Sequence, residues 1–304
     1  MNENFTMQQK ARGRIKRNLS LAKNQINGAL NERLIHGALR ELNSFFKENL
    51  GWEIHDIETA TKDYDRHIRF AQKNELLEKG GVDNVEYLTL FALRMALQPE
   101  LYIESGVFQG SSLHAFTSET DLCQAFTAIG FDPNLGPLKI KPRNTQLIDS
   151  HDFSEHEFDS IPQRHLIYFD DHIDSAERII QAHDKGFKYI LFDDSNGMTG
   201  ISQRLYPAFP TVFIINNIHL FEPGDTFTYP WETNHYSKVI SSYYKKEKKT
   251  RVRELRFDKK LIENCSDAKA RIKNHWNLPI LYDYLPQITP ETMVTKDKVL
   301  LELH

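Results

Sequence analysis

The chain has 304 residues, of which 40% are hydrophobic and 11% aromatic, enough apolar material for one large core or two smaller ones. Its net charge of −4 gives no global electrostatic case for a nucleic-acid partner, and no apolar run approaches the roughly 20 residues that would cross a bilayer. Two cysteines far apart, Cys123 and Cys265, lack metal-ligand spacing. With no secretory layout at the N-terminus, the expectation is a cytoplasmic protein with reduced thiols and no membrane partner.

Residues 1–78 read as a polar helical extension. Leu30, Leu34, Leu39, Leu42, Phe45 and Phe46 recur at roughly helical intervals. Lys10, Arg12, Arg14, Lys16 and Arg17 form a local basic cluster, the usual mark of a solvated helix face. Gly80-Gly81 interrupts the pattern, and a further helix runs from Val82 to Leu97, stopped by Pro99.

From Leu101 the pattern alternates strand and helix, which predicts an α/β fold. The expected form is a Rossmann-like, mostly parallel sheet of about seven strands with helices on both faces. Residues 79–220 make this core. Strands are expected at Leu101–Glu104, Ala125–Phe131, Gln146–Ile148, Leu166–Phe169, Tyr189–Phe192 and Val212–Ile215. Helices are expected at Ser111–Glu119 and Asp174–Asp184, the second closed by Gly186 in a left-handed cap. Residues 221–304 read as a C-terminal elaboration. Pro223–Tyr236 is a loop-like lid, Lys245–Arg256 an exposed basic hairpin or helix, and Val299–Leu303 an antiparallel edge strand.

The first strand ends in an acid and runs into a glycine-bounded turn, Glu104-x-Gly106-x-x-x-Gly110. Such a turn presents backbone amides to a cofactor, and its glycines admit a ligand to the main chain. Ser111 or Ser112 would cap the helix that follows. Phe108 stands where a dinucleotide-binding turn keeps its second glycine, so a cofactor without a pyrophosphate fits better. Asp132 follows Gly110 by roughly twenty residues, where an acid accepts hydrogen bonds from ribose hydroxyls.

Other strands end in acids too: Asp170 and Asp171 on the fourth, Asp193 and Asp194 on the fifth. Four carboxylates close together repel one another unless a cation neutralises them. A hard divalent ion such as Mg²⁺ takes such oxygen ligands and activates a bound hydroxyl. The alternative is that some of these acids face away and cap helices. His172 is placed to act as a general base, or to serve a structural role beside its acid. No serine-nucleophile elbow and no Walker phosphate loop is present.

At these residues the chain resembles class I S-adenosylmethionine-dependent methyltransferases. It is similar to the metal-dependent O-methyltransferases of the macrocin and catechol types, and also to cephalosporin-hydroxylase-like proteins. The run Tyr102–Ser112 resembles their first motif, Phe169-Asp-Asp-His172 their strand-four motif, and Leu191-Phe-Asp-Asp194 their strand-five motif. The resemblance covers residues 80–200. It implies S-adenosylmethionine contacts from Glu104, Gly106, Gly110, Ser111 and Asp132. It further implies Mg²⁺ on Asp171 (or Asp170), Asp193 and Asp194, with proton transfer by Asp170, Asp171 or His172.

Two positions depart from the catechol pattern. Ile173-Asp174 stands where that type carries a lysine, and Ser195 follows Asp194 where its motif ends Asp-Asn. The Asp-Asp form is closer to the macrocin type and implies a small-molecule acceptor such as a sugar. The competing expectations are a cephalosporin-hydroxylase-like enzyme on the same fold, and a non-catalytic binding or assembly protein. In the latter the N-terminal helices offer a surface for homo-oligomers.

Overall fold

The computed structural model describes residues 28–77, 82–117, 126–193, 198, 209–231, 251–281, 284 and 298–304. The basic cluster at 10–17, Gly80-Gly81, Cys123 and Asp194 lie outside the described residues. In chain order the helices are α1 (Gly28–Leu50), α2 (Ile57–Lys73), α3 (Asn84–Leu97), α4 (Ser111–Thr117), α5 (Ser175–Asp184), α6 (Val212–Asn216) and α7 (Lys259–Arg271). The strands are β1 (Leu101–Ser105), β2 (Thr127–Phe131), β3 (Thr145–Ile148), β4 (His165–Phe169), β5 (Tyr189–Asp193), β6 (Thr226–Trp231), β7 (Arg251–Arg256), β8 (Ile272–Asn277) and β9 (Lys298–Leu303). Among the described residues no helix is long and apolar enough to cross a membrane.

Seven strands form one sheet in the order β3-β2-β1-β4-β5-β9-β8, and β6 pairs with β7 apart from it. The pairs from β3 through β5 are parallel, while β9 runs antiparallel to both of its neighbours, β5 and β8. This is the expected Rossmann-like, mostly parallel sheet. β1 and β4 are buried along their whole length, because helices cover both faces of the sheet and the strands accordingly read as apolar runs.

Alternation along each strand sorts the core into two layers. Tyr102, Ala128, Leu166, Tyr168, Leu191 and Leu300 pack with residues of α1 to α4. Leu101, Ile103, Ile129, Ile167, Ile190 and Leu301 pack with residues of α5, α6 and α7. Helix α3 is buried at nearly every position, as its apolar sequence demands of a helix packed on all sides. It opens with a capping box in which the Asp83 side chain accepts from the Glu86 backbone and the Glu86 side chain accepts from the Asp83 backbone.

Three expectations need correction. Val212–Ile215 is not a strand but helix α6, started by Thr211, whose hydroxyl accepts from the Ile214 N–H at 3.2 Å. A short β-branched run cannot be told from a buried helical turn by periodicity alone. The loop-like stretch after Pro223 contains strand β6, paired with β7. The C-terminal strand is antiparallel as expected but lies inside the sheet, because β8 covers its outer side.

Candidate functional site

The register of the parallel strands aligns their carboxyl ends. Ser105 lies opposite both Phe131 and Phe169, Phe131 opposite Ile148, and Phe169 opposite Phe192. The next residues therefore arrive at this edge side by side: Asp149, Asp132, Gly106, Asp170 and Asp193, the last still paired with β9. Neighbouring strands stand about 4.8 Å apart. The strand order reverses at β1, with β2 on one side and β4 on the other, which opens the crevice where ligands of such sheets bind. A hollow of about 440 Å³ lined by Phe126, Thr127, Asn144, Thr145 and Gln146 lies at the amino ends of β2 and β3, away from these acids.

The turn after β1 is held from both flanks. Gly106 has φ +95°, and a Cβ there would collide with the Asp170 carbonyl oxygen and stand 2.8 Å from the Asp171 nitrogen. The close approach that this glycine permits is thus that of the β4 backbone. Gly110, at φ +82°, would press a Cβ to 2.8 Å from Leu138. Phe108 also has positive φ, +46°, and its N–H donates to Asp132 Oδ2 at 2.8 Å. His172, just after β4, stands at φ +55°. Left-handed backbone at such side chains costs on the order of 1–3 kcal/mol and collects at ligand clamps and active sites.

Asp132 Oδ1 accepts from the Asn134 N–H at 2.8 Å, so each carboxylate oxygen holds one backbone amide. A carboxylate offers about four lone-pair positions, which leaves about two for further donors such as a ribose diol. Glu104 is fully buried and lies beneath the turn. It accepts from the Tyr102 hydroxyl at 2.6 Å and the Ser112 hydroxyl at 2.7 Å. Burial pushes its carboxyl up to about 8 against the pull of those two hydrogen bonds. Ser111 is also buried, and its hydroxyl accepts from the Val82 N–H at 3.2 Å, which ties α4 to the segment that leads into α3.

The paired acids separate into different environments. Asp171 Oδ2 accepts from the Ser105 hydroxyl at 2.6 Å and from Arg178 Nε at 2.9 Å, and Oδ1 accepts from the Ile173 N–H at 3.2 Å. Arg178 is 1% exposed and spans two acids, clamping Asp152 with both terminal nitrogens at 2.7 Å. Burial opposes the Arg178 charge, but Asp171 and Asp152 outweigh it, so its pKa lies above the usual arginine value. Asp170 is half-buried at the crevice, its backbone N–H donating to Ser105 and its Oδ1 3.7 Å from His172 Nε2. Asp193 Oδ1 accepts from Lys298 Nζ at 2.5 Å. Lys298 is fully buried and also donates to Glu86 at 3.1 Å and to the Tyr168 hydroxyl at 3.0 Å.

The sequence thus brings Glu104, Gly106, Gly110, Asp132, Asp170, Asp171, His172 and Asp193 to one edge, with Ser111 turned to the N-terminal helices. The cations it did not reveal are Arg178 and Lys298. Arg178 had a signal: it lies on the first turn of the helix after Asp171 and is charged among the buried Ala176, Ile179 and Ala182. Lys298 had none. Among the described residues no group of three His, Cys, Asp or Glu side chains could hold a metal ion. Asp171 and Asp193 instead meet the cationic side chains of Arg178 and Lys298, which does not suit them as Mg²⁺ ligands; Asp194, the third acid of the expected set, lies outside the described residues.

No protein-family model matches the chain, and no curated protein does. Among solved structures it is similar to CmcI with Mg-SAM, at 23% identity over 36% of this chain and 50% of that one, with a TM-score of 0.28. The chain thus spans about half the length of that protein. It is also similar to an SAH-bound methyltransferase of Podospora anserina, at 12% identity over 87% and 94% of the two chains, TM-score 0.37. A third is an O-methyltransferase of Bacillus cereus in complex with SAH, at 9% identity over 64% and 91%, TM-score 0.34. Likenesses this distant carry no argument about chemistry. What the chain itself shows is a Rossmann-like, mostly parallel α/β protein with its strand-end acids gathered on one edge of the sheet.

Proposed function

We propose that the chain is an S-adenosylmethionine-dependent methyltransferase that acts on a hydroxyl oxygen of a small molecule such as a sugar. The observation that carries this reading is Asp132. It sits beside the Gly106–Gly110 turn at the switch in strand order, holds Phe108 with one oxygen, and keeps lone pairs for a ribose diol. Phe108 in the turn disfavours a pyrophosphate, and the motif resemblance of Tyr102–Ser112 points to the same cofactor.

Bound in this crevice, S-adenosylmethionine supplies an electrophilic methyl group on a sulfonium. The proposed work of the chain is positioning and proton transfer. Asp132 accepts the ribose hydroxyls, and the backbone of residues 106–111 lies under the nucleoside with Glu104 beneath it. Asp170, with His172 Nε2 3.7 Å from its Oδ1, takes the proton that the acceptor hydroxyl loses as its oxygen bonds to the methyl carbon and the carbon–sulfur bond breaks, its electron pair leaving on a neutral thioether. Alignment of that oxygen with the methyl carbon accounts for much of the acceleration expected of such a site. No step is assigned to Mg²⁺, because the cations described at these acids are side chains.

The test is thermal unfolding of the full chain with S-adenosylmethionine or its demethylated product. A ligand at about 100 times its dissociation constant stabilises by roughly 2.7 kcal/mol. The wild-type chain is expected to gain several degrees, and Asp132→Ala to lose most of that gain. A wild-type melting curve unmoved by either nucleoside rejects the reading. Transfer of a labelled methyl group to a hydroxyl acceptor then identifies the reaction.

A further inference from the structure

Lys298 is the first residue of β9 and stands directly opposite Asp193 of β5 in the antiparallel ladder. Because β9 runs against the other strands, its beginning arrives at the carboxyl edge, beside the crevice. The side chain is fully buried, and its ammonium has three oxygen partners from three elements: Asp193 on β5, Tyr168 on β4 and Glu86 on α3. An ammonium has three protons to donate, and each is used. Glu86 is itself fully buried, with its second oxygen committed to the Asp83 N–H at 2.8 Å. Asp170 and Glu104 also act on this group electrostatically, so acids on β1, β5 and α3 and just past the end of β4 surround one positive charge. A fully buried carboxylate at Glu86 and a largely covered one at Asp193, left without a cation, would be strongly destabilising.

We propose that Lys298 is the resident cation of this crevice. Its ammonium meets Asp193, one of the acids to which the sequence alone assigns a divalent metal, and joins it to the Tyr168 and Glu86 oxygens. Lys298 is then a positioning residue: it fixes Asp193 from behind, while the half-exposed side of the acid row faces the ligand. The consequence, which rests on the methyltransferase reading, is that cofactor and acceptor bind without Mg²⁺.

The experiment is thermal unfolding of wild type, Lys298→Ala and Lys298→Met, each in chelator and in saturating Mg²⁺, with Mn²⁺ titration calorimetry on wild type. Wild type is expected to melt at the same temperature in both conditions and to take up no Mn²⁺ at Asp193. Lys298→Ala leaves the oxygens together with room between them, so it is expected to melt lower in chelator and to recover several degrees in Mg²⁺. Lys298→Met keeps the space filled, so it melts lower without recovery. Stoichiometric Mn²⁺ binding by wild type that Asp193→Asn abolishes would overturn the proposal. So would an alanine variant indifferent to Mg²⁺. If that variant does not fold, the calorimetry of wild type decides alone. The absence of any nucleoside-induced shift in wild type sinks the methyltransferase reading and leaves these metal measurements intact.

Discussion

At Arg178 one buried guanidinium decides what two acids can do. It meets Asp171 and Asp152 from a helix that starts just after β4, and so joins the end of β4 to the segment after β3. Its charge sits 5.4 Å from the Phe169 ring centroid, with little water to share the field. Replacing it by methionine would leave two carboxylates without their partner in partly buried positions. Arg178→Met is expected to lose on the order of 3–5 kcal/mol of stability, measured by urea unfolding. A loss under about 1 kcal/mol would place this pair among ordinary surface ion pairs. The sequence showed Asp171 as one of a repelling group of acids. It did not show that its charge was already answered, because the answer lies on a different element.

Among the elements, β9 has the largest influence on the site. Its apolar run made it legible as a strand, but its neighbours were not. The outer strand β8 is largely polar, with Lys273, Asn274, His275 and Asn277, as suits an exposed edge, and carries no strand period to read. Helix α6 was missed for the opposite reason: Val212–Ile215 is rich in β-branched residues, and tertiary packing overrode that preference. Since β9 lies between β5 and β8, removing residues 298–304 should detach β8 and leave Asp193 and Glu86 without Lys298. The truncated chain is expected to lose its cooperative thermal transition, as followed by circular dichroism. A truncated chain that melts cooperatively within a few degrees of wild type would contradict this placement.

For the whole molecule, buried titratable groups shape stability against pH, Glu104, His67 and His114 among them. Burial raises Glu104 from 4.5 to about 8, so its contribution is complete below 4.5 and is lost as pH rises through 8. Burial, aided by the charge of Arg94, lowers His67 from 6.5 to about 3 and His114 from 6.5 to about 4. Their contribution is present above 6.5 and lost as pH falls through those values. Between 4.5 and 6.5 these histidines, joined by His165, whose pKa burial also lowers, oppose Glu104 and Asp174, whose carboxyl burial raises from 3.8 to about 6. Between 6.5 and 8 the Glu104 carboxyl acts alone, and stability falls by up to about 1.4 kcal/mol per pH unit. Urea unfolding across this range should show that fall in wild type and not in Glu104→Gln. An unchanged alkaline slope in the variant would remove Glu104 as its source.

The sequence by itself determined the Rossmann-like class, the place of β1 to β5 and the gathering of strand-end acids on one edge. Each of these follows from local periodicity and from the rule that parallel strands share a direction. Only the tertiary structure decided which charges those acids meet. Lys298 is 105 residues from Asp193 and 212 from Glu86 along the chain. Pairings over such separations leave no trace in local spacing, since they exist only once the sheet has set the order of its strands.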